Sequence, residues 1–298
     1  MSGASRHRDP WDLASGRALS ELLDVTPHRT NGGCRWRRGS CAASEHDRLD
    51  AAAWMVAEEI MGLRCGPARH IFAAWRAAAT RQPIPGGVAL SSAEAFVIPT
   101  FGLPPVGASL DHAQGYVAEI TWRMLAKEES DEARTILYLA HPDSDVTSPG
   151  ADGFVVYRVR PQDELAFRLW EIKKRDGAGS VSASIRNAYT QLDSHAERYL
   201  AKLTAQSEVD GDDERLVDLF ANLVPAWKRA EVAAGAGVAV AADADGLPER
   251  AFTTMHRRFP RLAAAGGVEG CLVGLGSLRE FSLHVRKLLW SGLSTATT

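Results

Sequence analysis

The strongest constraint in this chain is a pair of apolar, β-branched runs separated by a single turn. Residues 154–160 read as one strand, Pro161-Gln-Asp-Glu as a turn, and residues 165–174 as a second strand. Asp152 opens the first run inside Gly150-Ala-Asp-Gly, and Glu171-Ile-Lys stands near the end of the second. Residues i and i+2 of a strand project to the same face. Leu165, Phe167, Leu169, Glu171 and Lys173 therefore share one face, and the acid and the lysine lie where its apolar part opens. Glycines around Asp152 let the chain bend tightly and present the carboxylate.

Two carboxylates beside an ammonium suit a hard divalent cation, Mg²⁺ or Mn²⁺, which takes oxygen ligands and retains several waters. Asp152 and Glu171 are the expected ligands, joined by the carbonyl of Ile172 between the two site-facing side chains. Lys173 can orient an attacking water or neutralise charge building on a phosphate. That combination is suited to metal-assisted hydrolysis of a phosphodiester. A third acid, Glu119, borders a helical stripe of Leu110, Ala113, Val117, Ile120 and Met124, with Ser109 as a candidate N-cap. A long amphipathic helix is expected from about residue 182, and its early turns carry Arg186, Asn187 and Gln191. These groups either hold a phosphate or a water beside the site, or form a wetted helix face.

The order of helix acid, Gly-x-Asp-Gly, strand, Glu-Ile-Lys and a helix with glutamine resembles the PD-(D/E)XK nuclease superfamily over roughly residues 105–205. The resemblance implies a restriction-endonuclease-like core with Glu119, Asp152, Glu171, Lys173 and Gln191 as active-site residues. One departure is that the Gln-x-x-x-Tyr pattern of the RecB-like branch would need tyrosine at 195, where this chain has His195. The layout is also similar to the nuclease subunit of Hachiman-type antiphage systems, which implies a defence effector working with a helicase-like ATPase. The competing expectations are a non-catalytic nucleic-acid-binding or scaffold subunit on the same fold, and an unrelated α/β protein whose acids are surface residues.

A formal net charge of −3 does not advertise nucleic-acid binding, so local basic clusters matter more than the sum. Arg35, Arg37 and Arg38, with Trp36 among them for stacking, form one candidate contact surface for nucleic acid, DNA ahead of RNA. Lys174 and Arg175, with Arg186, form another beside the proposed site. Residues 208–218 are acidic and read as a solvated loop running into a helix start. The four cysteines match no compact metal spacing and are expected as reduced thiols. No Gly-x-x-x-x-Gly-Lys-Ser/Thr loop is present, so ATP hydrolysis by that route is not expected. The chain has no apolar run of 18 residues and no apolar core at its start, so a cytoplasmic protein without membrane spans is expected.

The fold expected is α/β, a central mixed sheet flanked by helices with an N-terminal helical extension. Residues 1–45 read as a poorly ordered basic arm and 46–90 as a helical region. Residues 91–298 read as the nuclease-like domain with added strands and helices. Two helices are expected within 47–80, where Trp54 and Trp75 either form a docking surface for the partner or belong to the core. Later, helices are expected over 216–233 and 248–264, strands from 237 and 271, and a last helix opened by a capping box at Ser277.

Overall fold

The computed structural model describes residues 8–86, 90–129, 133–142, 152–177, 180–206 and 213–294. Gly150 and the acidic stretch 208–212 lie outside the described residues. The strands are β1 (Thr26–Arg29), β2 (Arg35–Cys41), β3 (Arg134–Leu139), β4 (Gly153–Val159), β5 (Glu164–Arg175), β6 (Ala236–Ala242) and β7 (Val268–Leu275). They form one seven-stranded sheet in the order β1-β2-β7-β6-β5-β4-β3. β3, β4 and β5 are an antiparallel meander, β5, β6, β7 and β2 run parallel, and β1 returns antiparallel on β2. The mixed α/β fold expected from the sequence is the one observed.

β5 shows why both faces of this sheet must be covered. Trp170 and Ile172 enter one core, Phe167 and Leu169 the other, as a two-residue period requires. β6 beside it is Ala, Gly and Val throughout and buried along its whole length, as expected of a central parallel strand. On the Trp170 face lie the helices His46–Cys65, Leu110–Lys127 and Leu278–Ser291. On the Phe167 face lies the helix Val181–Gln206, whose Ile185, Ala188, Leu192 and Leu200 meet Val238 and Val240.

The hairpin, the strands from 237 and 271, and the helix pair within 47–80 stand close to their expected places. Ser277 caps the last helix by accepting from the Glu280 N–H at 3.3 Å, whereas Ser109 makes no side-chain cap bond. The single helices expected over 216–233 and 248–264 are each two. Pro225 has no N–H to continue a ladder through Asn222, so helices Glu214–Ala221 and Leu223–Arg229 divide there. Pro260 forces Phe259 out of the helical region, to φ −118° and ψ 61°, and separates Met255–Arg258 from Pro260–Ala264.

The N-terminal segment differs most. Residues 8–45, read as a loose basic arm, contain two short helices and the strands β1 and β2, and β2 extends the parallel sheet along β7. Cys34 and Trp36 enter the core on one face while Arg35 meets the buried Glu269 and Arg37 the half-buried Glu129 on the other. The helical extension is therefore continuous with the sheet. Trp54 and Trp75 are core, 1% and 0% exposed, with their rings stacked at 5.8 Å. That removes them as a docking surface. All four cysteines are unpaired and buried.

Candidate active site

The β4–β5 ladder begins at the pair Gly153–Trp170, which leaves Asp152 beside Glu171 just beyond its last rung. Asp152 Oδ2 accepts from the Ile172 N–H at 2.7 Å, so the main chain of β5 fixes this carboxylate. A residue's N–H and C=O in an extended strand point to the same neighbour. The Ile172 carbonyl is therefore directed to the edge that Asp152 occupies. Gly153 is required for a different reason from the tight bend expected. A Cβ there would lie 2.4 Å from the Trp122 indole, which packs across it onto Trp170 at 5.2 Å between centroids.

Glu171 is wholly buried. Its Oε1 accepts from Lys173 Nζ, which also donates to Gln191 Oε1 at 3.0 Å, while its Oε2 is buried and accepts no hydrogen bond from a donor among the described residues. Burial first and then the Asp152 carboxylate beside it, against the opposing charge of Lys173, bring the Glu171 carboxyl up to about 8. Asp152 is raised as well, again chiefly by burial, against the Ile172 N–H and the Lys173 charge. Two facing carboxyls share one ammonium and, with Glu171 protonated, hydrogen-bond to each other. The side chain of Lys173 remains 28% exposed, which leaves its ammonium open to a ligand.

This donor set fits a hard divalent cation. Among the described residues no group of three or more His, Cys, Asp or Glu side chains forms a metal-holding cluster. The side-chain ligands would therefore be two, Asp152 and Glu171, completed by the Ile172 carbonyl and water.

Four of the five expected active-site residues meet here: Asp152, Glu171, Lys173 and Gln191. Glu119 is half-buried on Leu110–Lys127, where its charge acts on Tyr116. That helix meets the end of β5 through its first turns, where Asp111 and Gln114 accept from Lys174 Nζ. Lys174 thus faces away from the carboxylates, tied to the opposite side of the sheet. Arg175 returns to the face of Lys173 by alternation and is half-buried, and Arg186 is exposed near the start of Val181–Gln206.

The N-terminal arginines stand apart from this site. Arg35 pairs with Glu269 at 2.9 Å, and Arg37 lies 3.0 Å from Glu129 and donates to the Leu125 carbonyl at 2.9 Å. Both lie on the Trp170 face, and the half-buried Arg38 sits on β2, three strand positions from β5. Sequence reasoning missed their partner Glu269 and the contacts of Trp122, Asp111 and Gln114. The available signal for the first was a lone acid interrupting the apolar run Val268-Glu-Gly-Cys-Leu-Val. Comparison of the chain with protein-family models and with curated proteins finds no match to either.

Proposed function

We propose that this chain is a metal-dependent nuclease of the PD-(D/E)XK type, hydrolysing phosphodiester bonds of nucleic acid, DNA ahead of RNA. The observation that supports this reading is the convergence of Asp152, Glu171, Lys173 and Gln191 at the open end of the β4–β5 ladder. Asp152, Glu171 and the Ile172 carbonyl would hold Mg²⁺ or Mn²⁺. When bound, such an ion polarises a phosphoryl oxygen and lowers the pKa of a water. Glu171 gives up its proton to become a ligand, so the pair takes the cation only as carboxylates. Lys173 places its ammonium at the mouth, where it donates to an attacking water or to a phosphate oxygen that gains charge. Gln191 fixes that ammonium through its side-chain oxygen and keeps its amide N–H groups for the phosphate.

The experiment is cleavage of plasmid DNA and of single-stranded DNA and RNA in Mg²⁺ or Mn²⁺, with thermal melts in parallel. The wild-type protein should cut and should melt higher with the cation, and Asp152→Asn should lose both effects. An Asp152→Asn protein that still cuts would sink the reading. A helicase-like ATPase partner in antiphage defence is supported by the layout similar to Hachiman nuclease subunits. Co-expression with neighbouring genes and pull-down tests it, and a chain that binds none of them and cuts freely alone would end it.

A further inference from the structure

A cavity of about 750 Å³ opens on the Phe167 face, between the turn that joins β1 to β2 and the segment 249–257. Its volume is that of a ligand site. Trp36 forms part of its floor and stands in register with Gly270, Val238 and Glu171 across β7, β6 and β5. At about 4.8 Å per strand, three spacings along the sheet put Trp36 about 14 Å from Glu171, on the same face. The far wall is fixed by the helix Val181–Gln206, where Tyr189 Oη bonds Thr254 Oγ1 at 2.7 Å and Asp193 pairs with Arg258 at 2.7 Å.

Unlike Arg258, the cations in this wall are not neutralised by the fold. Arg250 and Arg257 are exposed, and their side chains form no ion pair or hydrogen bond among the described residues. Glu249 is the only acid in the described lining. His256 lies between them and the turn. A Cβ on Gly32 would stand 2.2 Å from His256 Nδ1, so the turn closes on that edge of the ring. Nδ1 is buried there with no hydrogen-bond partner among the described residues. A proton on it would be a buried donor left unsatisfied, so the neutral ring carries its proton on Nε2. Nε2 is bonded to no described residue and is open to a ligand. On the hairpin side, the exposed His28 stacks on the buried Trp36 with ring centroids 4.4 Å apart. Unpaired guanidiniums beside an exposed ring that is supported from below are the complement of phosphates alternating with bases.

We propose that this cavity binds single-stranded nucleic acid. Phosphate oxygens accept from the guanidiniums of Arg250 and Arg257 and from His256 Nε2, and one unpaired base stacks on His28. A duplex cannot bind this way, because its bases are already paired and stacked on one another. The hairpin thus contributes His28 to this surface, while its Arg35 and Arg37 are tied to acids on the opposite face. The site uses none of Asp152, Glu171, Lys173 and Gln191, so it does not rest on the nuclease reading. Under that reading it holds the strand on the face where the strand is cut.

Fluorescence anisotropy of the full chain in EDTA reads this binding without cleavage. The probes are a labelled single-stranded DNA, the same strand as RNA, its DNA duplex, and a DNA strand of abasic sites. The DNA or the RNA single strand should bind, and more tightly than the duplex or the abasic strand. Arg250→Glu with Arg257→Glu should weaken that binding at least about tenfold and flatten its salt dependence. His28→Ala should weaken binding of the intact strand about fivefold or more and leave the abasic strand unchanged. Arg17→Glu with Arg69→Glu makes the same charge change at two exposed arginines beside the Trp170-face core, and should bind as wild type. The proposal is overturned if neither single strand binds at about 0.1 mM, or if the duplex or abasic strand binds as tightly as the intact one. It is also overturned if the Arg250–Arg257 pair or His28→Ala binds as wild type, or if the Arg17–Arg69 pair loses as much as the Arg250–Arg257 pair.

Discussion

At Lys173 and Lys174 two neighbouring ammonium groups serve opposite faces of β5. Lys173 Nζ sits between Glu171 and Gln191, and Lys174 Nζ is tied to Asp111 and Gln114. Lys173→Ala is expected to abolish cleavage with the fold retained, since the side chain is partly solvated and adds little to the core. Lys174→Ala should retain cleavage, so equal losses in the two variants would remove Lys173 from its role. Glu269 is a stability residue with a defined pH signature. Its carboxyl is held at about 2 against an ordinary 4.5, so the stability it contributes is present above pH 4.5 and is lost as pH falls towards 2. Glu269→Gln should cost about 3–5 kcal/mol at neutral pH, because it leaves buried arginines uncompensated. Its melting curves should lack the part of the acid slope that wild type shows between those values.

Among the elements, the start of β4 carries a close contact that bears on the site. Gly153 is where the Trp122 indole crosses the strand, so Gly153→Ala forces a shift of that ring or of the backbone that positions Asp152. The expected loss is about 1–3 kcal/mol from overpacking, with weaker metal-induced stabilisation alongside it. An unchanged response to Mn²⁺ in a destabilised Gly153→Ala protein would show that Asp152 is held by the Ile172 N–H alone. The helices His46–Cys65 and Arg69–Ala79 give the contrasting case. Trp54 and Trp75 have helical spacing that suits a surface or a core equally, and only their burial between helices decides for the core. Trp54→Ala should therefore cost about 3–5 kcal/mol of stability. Thermal melting measures it, and a drop of less than about 1 kcal/mol would contradict the core assignment.

For the whole molecule, β2 is the test of where the domain begins. It pairs in parallel with β7 along seven residues and carries Arg35 to the buried Glu269. Deleting residues 1–45 should strip the sheet of two strands and leave β7 as an edge. An insoluble or unfolded product by circular dichroism is the expected result, and a truncated chain that melts like the full one would refute it. The hairpin, the alternation that puts Glu171 and Lys173 on one face, and the strand–helix order of the C-terminal half were all determined by the sequence. They depend on local period, turn chemistry and residue volume, which neighbours along the chain supply. Tertiary structure alone decided the rest. Glu269 meets Arg35 across 234 positions and Arg134 across 135, and Gly153 meets Trp122 from a helix preceding β3. A basic run with a buried partner so distant reads locally as a solvated arm, because desolvation and charge pairing depend on distance in space, and local spacing does not say which groups meet.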